Sequence, residues 1–177
     1  GNEAQVGGGI YGGATVSGNT IIGNSAIMVG GYVVSSSDTG KFSNNYVLNN
    51  KGTYAAYFWE GRDVTDNIFA GNEQALFYKN TPGHGGHFYI GDNDNLPSSR
   101  IVSNNVIFNN TTSPSVYFYG LDMDYDLYDP ETGEQERIVS LAGISAKNNT
   151  IVDNAGGLSV VGSVELNNNN IGRRILD

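Results

Sequence analysis

The sequence predicts an all-β fold, a parallel β-helix of about six to seven coils carrying two long insertions, and three observations predict it. A short unit recurs along the chain. Apolar residues hold fixed places within each copy, and asparagines stand at fixed distances from them.

With the leading asparagine of each unit as anchor, the copies begin at Asn19, Asn45, Asn67, Asn105, Asn149 and Asn169, spaced by 26, 22, 38, 44 and 20 residues. The base unit is therefore 20 to 26 residues long and is enlarged twice. Three places before the anchor stand Val16, Phe42, Val64, Val102, Ala146 and Leu166, and two places after it Ile21, Val47, Phe69, Ile107, Ile151 and Ile171. Five places after the anchor come Asn24, Asn50, Asn72, Asn110 and Asn154, and only the last copy departs, with Arg174.

Helical repeats are excluded by residue choice. The units are rich in Asn, Gly, Val, Ile and aromatics and poor in good helix formers, and they alternate over short runs. Short strands between Gly and Asn turns stack as successive coils, with equivalent side chains about 4.8 Å apart up the stack. Asparagine suits the turns because it tolerates left-handed and bridge conformations. Its amide can also bond the equivalent amide one coil away, which satisfies polar groups next to the core. The sequons at Asn109, Asn110 and Asn148 fall in or beside these columns and are incidental to them.

Composition bounds the rest. A chain of 177 residues with 38% hydrophobic content suits one domain spanning residues 1–177. Eighteen acidic against nine basic side chains give a net charge of −9, which disfavours nucleic acid and anionic membranes. No apolar run approaches the roughly 18 residues of a membrane span, so membrane insertion is not expected. Without cysteine there is no disulfide framework and no thiolate metal site. An acidic, Asn-, Gly-, Ser- and Tyr-rich chain low in Lys leans towards a secreted or cell-surface protein.

GGGIYGGATVSGNTIIGNSA, followed by VSNNVIFNN and SAKNNTIVDN, resembles the right-handed parallel β-helix repeats of the pectate-lyase-like superfamily. The resemblance covers nearly the whole chain and implies the fold and its right hand. For function it implies a range, because the superfamily holds polysaccharide lyases, glycoside hydrolases, epimerases, phage tailspikes and surface adhesins.

A second strand aligns through the anchors as AIMVGG, AAYFWEG, ALFYKN, SVYFYG and GLSVVG. Alternation turns Ile27 and Val29, Ala56 and Phe58, Leu76 and Tyr78, Val116 and Phe118, and Leu158 and Val160 inward. Tyr57, Trp59, Phe77, Lys79, Tyr117 and Tyr119 then face outward, with Tyr11 as a further candidate. Rings at coil spacing offer flat platforms to sugars, unless the insertions fold over them.

The first insertion, about residues 73–100, holds both histidines, His84 and His87, in a Gly-rich segment where either a metal or an acid/base role is conceivable. Gly83-His84-Gly85 resembles a polygalacturonase motif, but the paired aspartates that precede it in that family follow it here, in GDND. The second insertion, about residues 111–145, holds Asp122, Asp124 and Asp126, whose alternation puts three carboxylates on one side of an extended chain. Like charges so close favour a bound cation, and calcium is the natural candidate. An EF-hand is excluded, because Leu127 and Gly133 stand where its Gly and terminal Glu belong. Tyr119-Gly120 and Asp129-Pro130 resemble elements of alginate epimerases, with Glu131 in place of the acid/base histidine.

Two classes of function are open. One is a carbohydrate-active β-helix binding a glycan along the aromatic face through Tyr57, Trp59, Arg62, Phe77, Lys79, Tyr117 and Tyr119. Basic residues near that face are few (Arg62, Lys79, Arg100), which favours a neutral glycan. Hydrolysis would require a carboxylate pair, Glu60 or Asp63 with Asp122 or Asp124, and His84 is a further acid/base candidate. The other class is a non-catalytic structural or adhesive module of a cell surface, filament or phage. Neither end resembles a cap, so contact end to end with another chain, or with a longer β-helix, is expected.

Overall fold

The computed structural model describes residues 1–12, 15–34, 40–59, 63–73, 75–80, 88–89, 100–120, 123–128, 132, 135–140 and 143–172, all β-strand, turn or irregular, with no helix among them. Three six-stranded sheets dominate, each with its strands in chain order and every pair parallel. This is compatible with a parallel β-helix. The first sheet holds Val16–Ser17, Lys41–Ser43, Asp63–Thr65, Arg100–Ser103, Ile144–Lys147 and Val164–Asn167. The second holds Thr20–Ile22, Tyr46–Leu48, Ile68–Ala70, Val106–Phe108, Thr150–Val152 and Asn170–Gly172. The third holds Ile10–Tyr11, Val29–Val34, Tyr54–Trp59, Leu76–Asn80, Val116–Gly120 and Leu158–Gly162.

Register follows the repeat read from the sequence. Val16 pairs with Phe42, Phe42 with Val64, Val64 with Val102, and so on to Leu166. The second sheet aligns Ile21, Val47, Phe69, Ile107, Ile151 and Ile171 in the same way. The core lies between the three sheets, where Phe42, Phe69, Phe58 and Tyr32 are buried. Their rings meet across sheets: Tyr32–Phe42 centroids lie 4.7 Å apart, Phe42–Phe58 5.2 Å and Phe42–Phe69 6.3 Å. Burying each such ring stabilises the fold by about 2–3 kcal/mol.

Two asparagine ladders flank the second sheet. One runs Asn19–Asn45–Asn67–Asn105–Asn149–Asn169, with Nδ2 donating to the next Oδ1 at 2.9 to 3.2 Å. The other runs Asn2–Asn24–Asn50–Asn72–Asn110–Asn154, at 2.8 to 3.2 Å. Asn2 is a rung the repeat alignment missed, because no strand triplet precedes it to mark a unit. Arg174 lies outside the described residues.

An interior rung uses its whole amide. Asn67 Oδ1 accepts from the backbone N–H and Nδ2 of Asn45, while its own Nδ2 donates to Phe42 O and Asn105 Oδ1. That is two bonds accepted and two donated, the full capacity of the group. Burial of Asn67 and Asn105 at 0% exposure is therefore compatible with stability.

Sharp turning falls to the residue before each rung, not to the rung itself as the sequence suggests. Asn44, Asn49, Asp66, Asn104, Asn109, Asn148, Asp153 and Asn168 have φ between 52° and 59°, and Gly18, Gly23 and Gly71 take the same place elsewhere. The paired motif is thus a left-handed Asn, Asp or Gly followed by a ladder Asn.

One alignment is corrected. Ile27 does not face inward; it is 74% exposed. The third-sheet strand of its unit is Val29–Val34, in which Tyr32, Val33 and Val34 pair with Ala56, Tyr57 and Phe58, and a register shift separates Val29 from Tyr32. Gly30 and Gly31 fill that shift, where side chains would collide with the Lys51 and Ala55 carbonyl oxygens. Val160 keeps its inward register opposite Phe118 but is 39% exposed in the last strand of the sheet.

The two insertions combine. Both leave the third sheet at the C-terminal end of a strand, after Leu76–Asn80 and after Val116–Gly120, and return to the first sheet. Phe88–Tyr89 of the first insertion pairs parallel with Met123–Tyr128 of the second, which pairs antiparallel with Gln135–Ser140. A separate three-stranded sheet results.

Candidate functional site

Outward positions of the third sheet fall into two register rows. Tyr11, Val33, Tyr57, Phe77, Tyr117 and Ser159 form one. Trp59, Lys79, Tyr119 and Val161 form the other, nearer the ends from which the insertions leave. Parallel pairing without a register slip from Tyr54–Trp59 to Leu158–Gly162 brings these side-chain types together.

Tyr11 is 65% exposed, whereas Tyr57, Tyr117 and Tyr119 are half-buried. The Tyr117 and Tyr119 rings are stacked, with centroids 6.4 Å apart and planes 9° from parallel. One strand therefore presents two nearly parallel rings in succession. Tyr54 packs against Tyr57 at 5.2 Å and 39°, a neighbour that the two-residue alternation does not predict. Burial pushes the Tyr57 hydroxyl up to about 12, and the neighbouring Tyr54 adds to the shift. Tyr57 is therefore uncharged at neutral pH, and the face has further rings beside it. It offers polarisable ring surface edged with hydroxyls.

Of the acid candidates, Asp63 opens the strand Asp63–Thr65, half-buried, and its Oδ1 accepts the Ile101 backbone N–H at 3.1 Å. The carboxylate thus braces the next strand of the first sheet. Glu60, Arg62, His84, His87 and Asp122 lie outside the described residues. Trp59, Phe77, Lys79, Asp124 and Asp126 are placed by their strands and register alone.

For the expected calcium site, Asp124 and Asp126 stand two apart on an extended strand and share a face. Asp126 is directly opposite Arg137, and Asp124 opposite Val139, in antiparallel register. A cation of the chain's own thus sits across the strand pair from one of the carboxylates. Among the described residues there is no group of three or more His, Cys, Asp or Glu able to hold a metal ion.

At the opposite margin of the third sheet, where the chain arrives from the second, a groove of about 470 Å³ is lined by Ser25, Ile27, Lys51, Thr53, Glu73 and Thr112. Glu73 Oε2 accepts the Gly52 N–H at 2.9 Å, and Thr53 Oγ1 donates to Ile27 O at 3.2 Å. Hydroxyls, one ammonium and one carboxylate converge here beside an exposed aliphatic side chain. Nothing in the repeat pattern marks this groove, since its residues come from four separate connections.

No family model, no curated protein and no solved structure matches the chain.

Proposed function

We propose that the chain is a right-handed parallel β-helix of the pectate-lyase-like kind, with about six to seven coils, that binds a neutral polysaccharide along the outer face of its third sheet, outside the cell. The observation that carries this reading is the register-locked aromatic row, Tyr11, Tyr57, Phe77 and Tyr117, beside Trp59 and Tyr119. Strands spaced by about 4.8 Å present rings at nearly the pitch of successive sugars in an extended glycan. Apolar sugar faces stack on such rings, and the phenol hydroxyls meet the equatorial hydroxyls at their edges.

In this reading the insertions border one margin of the face, since they leave from the C-terminal ends of third-sheet strands, and Glu60, Asp63, Asp122 and Asp124 follow such strands in the chain. Cleavage would use one of the first two with one of the last two as an acid and base pair, with His84 as a further proton donor. Calcium belongs to the proposal through Asp122, Asp124 and Asp126, against the competing charge of Arg137.

A glycan array probed with and without EDTA tests the reading. Binding to neutral glycans is expected, and loss of that binding in EDTA is expected if calcium orders the second insertion. Trp59→Ala and Tyr117→Ala are each expected to weaken binding roughly tenfold, about 1.4 kcal/mol. An array with no positive glycan in either condition sinks the proposal, and unchanged affinity in both variants removes the aromatic row from it. Incubating any positive glycan with the protein and assaying new reducing ends or unsaturated sugars decides between binder and enzyme.

A structural or adhesive module is the second reading, favoured by the two continuous asparagine ladders. They stiffen the stack whatever its surface binds.

A further inference from the structure

The outer face of the second sheet carries no charge and is mostly apolar, its polar groups being Thr20, Thr150, Asn170 and the Tyr46 hydroxyl. Two outward columns flank the buried Ile21–Val47–Phe69–Ile107–Ile151 file. One is Thr20, Tyr46, Ile68, Val106, Thr150 and Asn170; the other is Ile22, Leu48, Ala70, Phe108, Val152 and Gly172. Neither contains a charged residue. Ile22 is 49% exposed, Tyr46 51% and Val106 36%. The first sheet differs, since Lys41, Asp63, Lys147 and Glu165 occupy its outward positions.

Tyr46–Leu48, Ile68–Ala70 and Val106–Phe108 in the middle of the sheet have no side chain more polar than Tyr46, and parallel strands of that kind are ordinarily covered on both faces. The core covers one face here, and no sheet among the described residues covers the other. We infer that the second sheet packs, outer face to outer face, on the second sheet of another copy of this chain.

Charge selects that occupant. Copies carrying a net charge of −9 repel wherever their carboxylates meet, and this face is a place where they touch without opposing like charges. A charged partner would find no counter-charge on it. A glycan would find two rings, Tyr46 and Phe108, in different columns and on strands that are not neighbours, and so no continuous platform. A two-fold axis lying in the interface plane, along the strands or along the stack, brings each column against its own counterpart or its neighbour, and all of these are uncharged. Sheets packed face to face stand about 10 Å apart, a distance that side chains of this size fill.

Area sets the strength. Six strands at about 4.8 Å and three residues at about 3.3 Å make a footprint of a few hundred Å². That falls short of the roughly 800 Å² per partner of a stable interface, so the dimer is weak and depends on concentration.

Sedimentation velocity from about 1 μM to about 1 mM reads it out. The wild-type protein is expected to pass from monomer to dimer within that range. Val106→Glu, at the centre of the face on an exposed side chain, is expected to remain monomeric at every concentration while keeping the wild-type circular dichroism spectrum. Tyr117→Ala, on the third sheet, is expected to dimerise as the wild type does, which separates this association from glycan binding. A wild type that stays monomeric to the top of the range overturns the inference. So does a folded Val106→Glu that dimerises unchanged, or a Val106→Glu that loses glycan binding instead of dimerisation. If Val106→Glu loses its fold, Phe108→Ser replaces it under the same criteria.

Discussion

At the scale of single residues, the asparagines divide into two jobs that the sequence shows as one letter. Asn104, with φ of 57°, turns the chain, and Asn105 beside it enters the buried ladder. The ladder role was legible because the spacing of five between paired columns is strict; the turning role was hidden, since Gly, Asn and Asp share it. The two roles carry different costs. Asn105→Ala deprives the Asn67 backbone N–H of its acceptor and removes a donor from Val64 O, all at buried positions. A loss of about 3 kcal/mol in denaturant unfolding is expected. Asn19→Ala, at an exposed rung whose neighbour Asn45 keeps its other contacts, is expected to cost less than about 1 kcal/mol. Equal losses at the two sites would mean that burial does not govern the ladder.

At the scale of elements, strands of three residues joined by two-residue corners leave little room for error, and the chain meets this with conformation fixed at the corner. Asn109 is exposed, with φ of 54°, between Val106–Phe108 and the ladder residue Asn110. Replacing it with Val puts a β-branched side chain in the left-handed region, and a loss of roughly 1–2 kcal/mol is expected. Asn109→Gly is expected to change stability by a few tenths, since glycine meets no steric penalty there. Comparing the two by thermal unfolding separates the corner's conformation from its side chain. Where such corners bracket the strands, the first two sheets were readable from sequence to the residue. The third was not, because Gly30 and Gly31 insert a shift that no spacing rule marks, and Ile27 was drawn into the wrong face. The outer columns of the second sheet are visible in YVL, IFA and VIF, whose flanking residues break the alternation that a half-solvated strand would show, while TII and TIV keep a threonine at one outer position.

At the scale of the whole molecule, a regular stack carries an irregular attachment. The enlarged spacings of 38 and 44 residues announced both insertions, but nothing in either one names the other as its partner. Their pairing joins residues 39 positions apart, Phe88 with Leu127 and Tyr89 with Tyr128, through backbone bonds, which are blind to side-chain pattern. Because the small sheet pairs with none of the three large ones, replacing residues 121–142 by a short Gly-Asn turn is expected to leave the β-sheet circular dichroism intact and the melting temperature within a few degrees. Glycan binding by that variant is expected to fall. A collapse of the melting transition would show instead that the attachment holds the stack together. The ladders also give the stack a direction. From amide to amide, each interior rung donates to the Oδ1 of the later repeat and accepts at its own Oδ1 from the earlier one, so the side-chain dipoles align head to tail along both ladders. Aligned dipoles polarise one another, so each added repeat strengthens those already bound. A repeat offered upside down would set amine against amine. The ladder therefore acts as a ratchet on assembly, admitting the next repeat in one orientation and refusing the other.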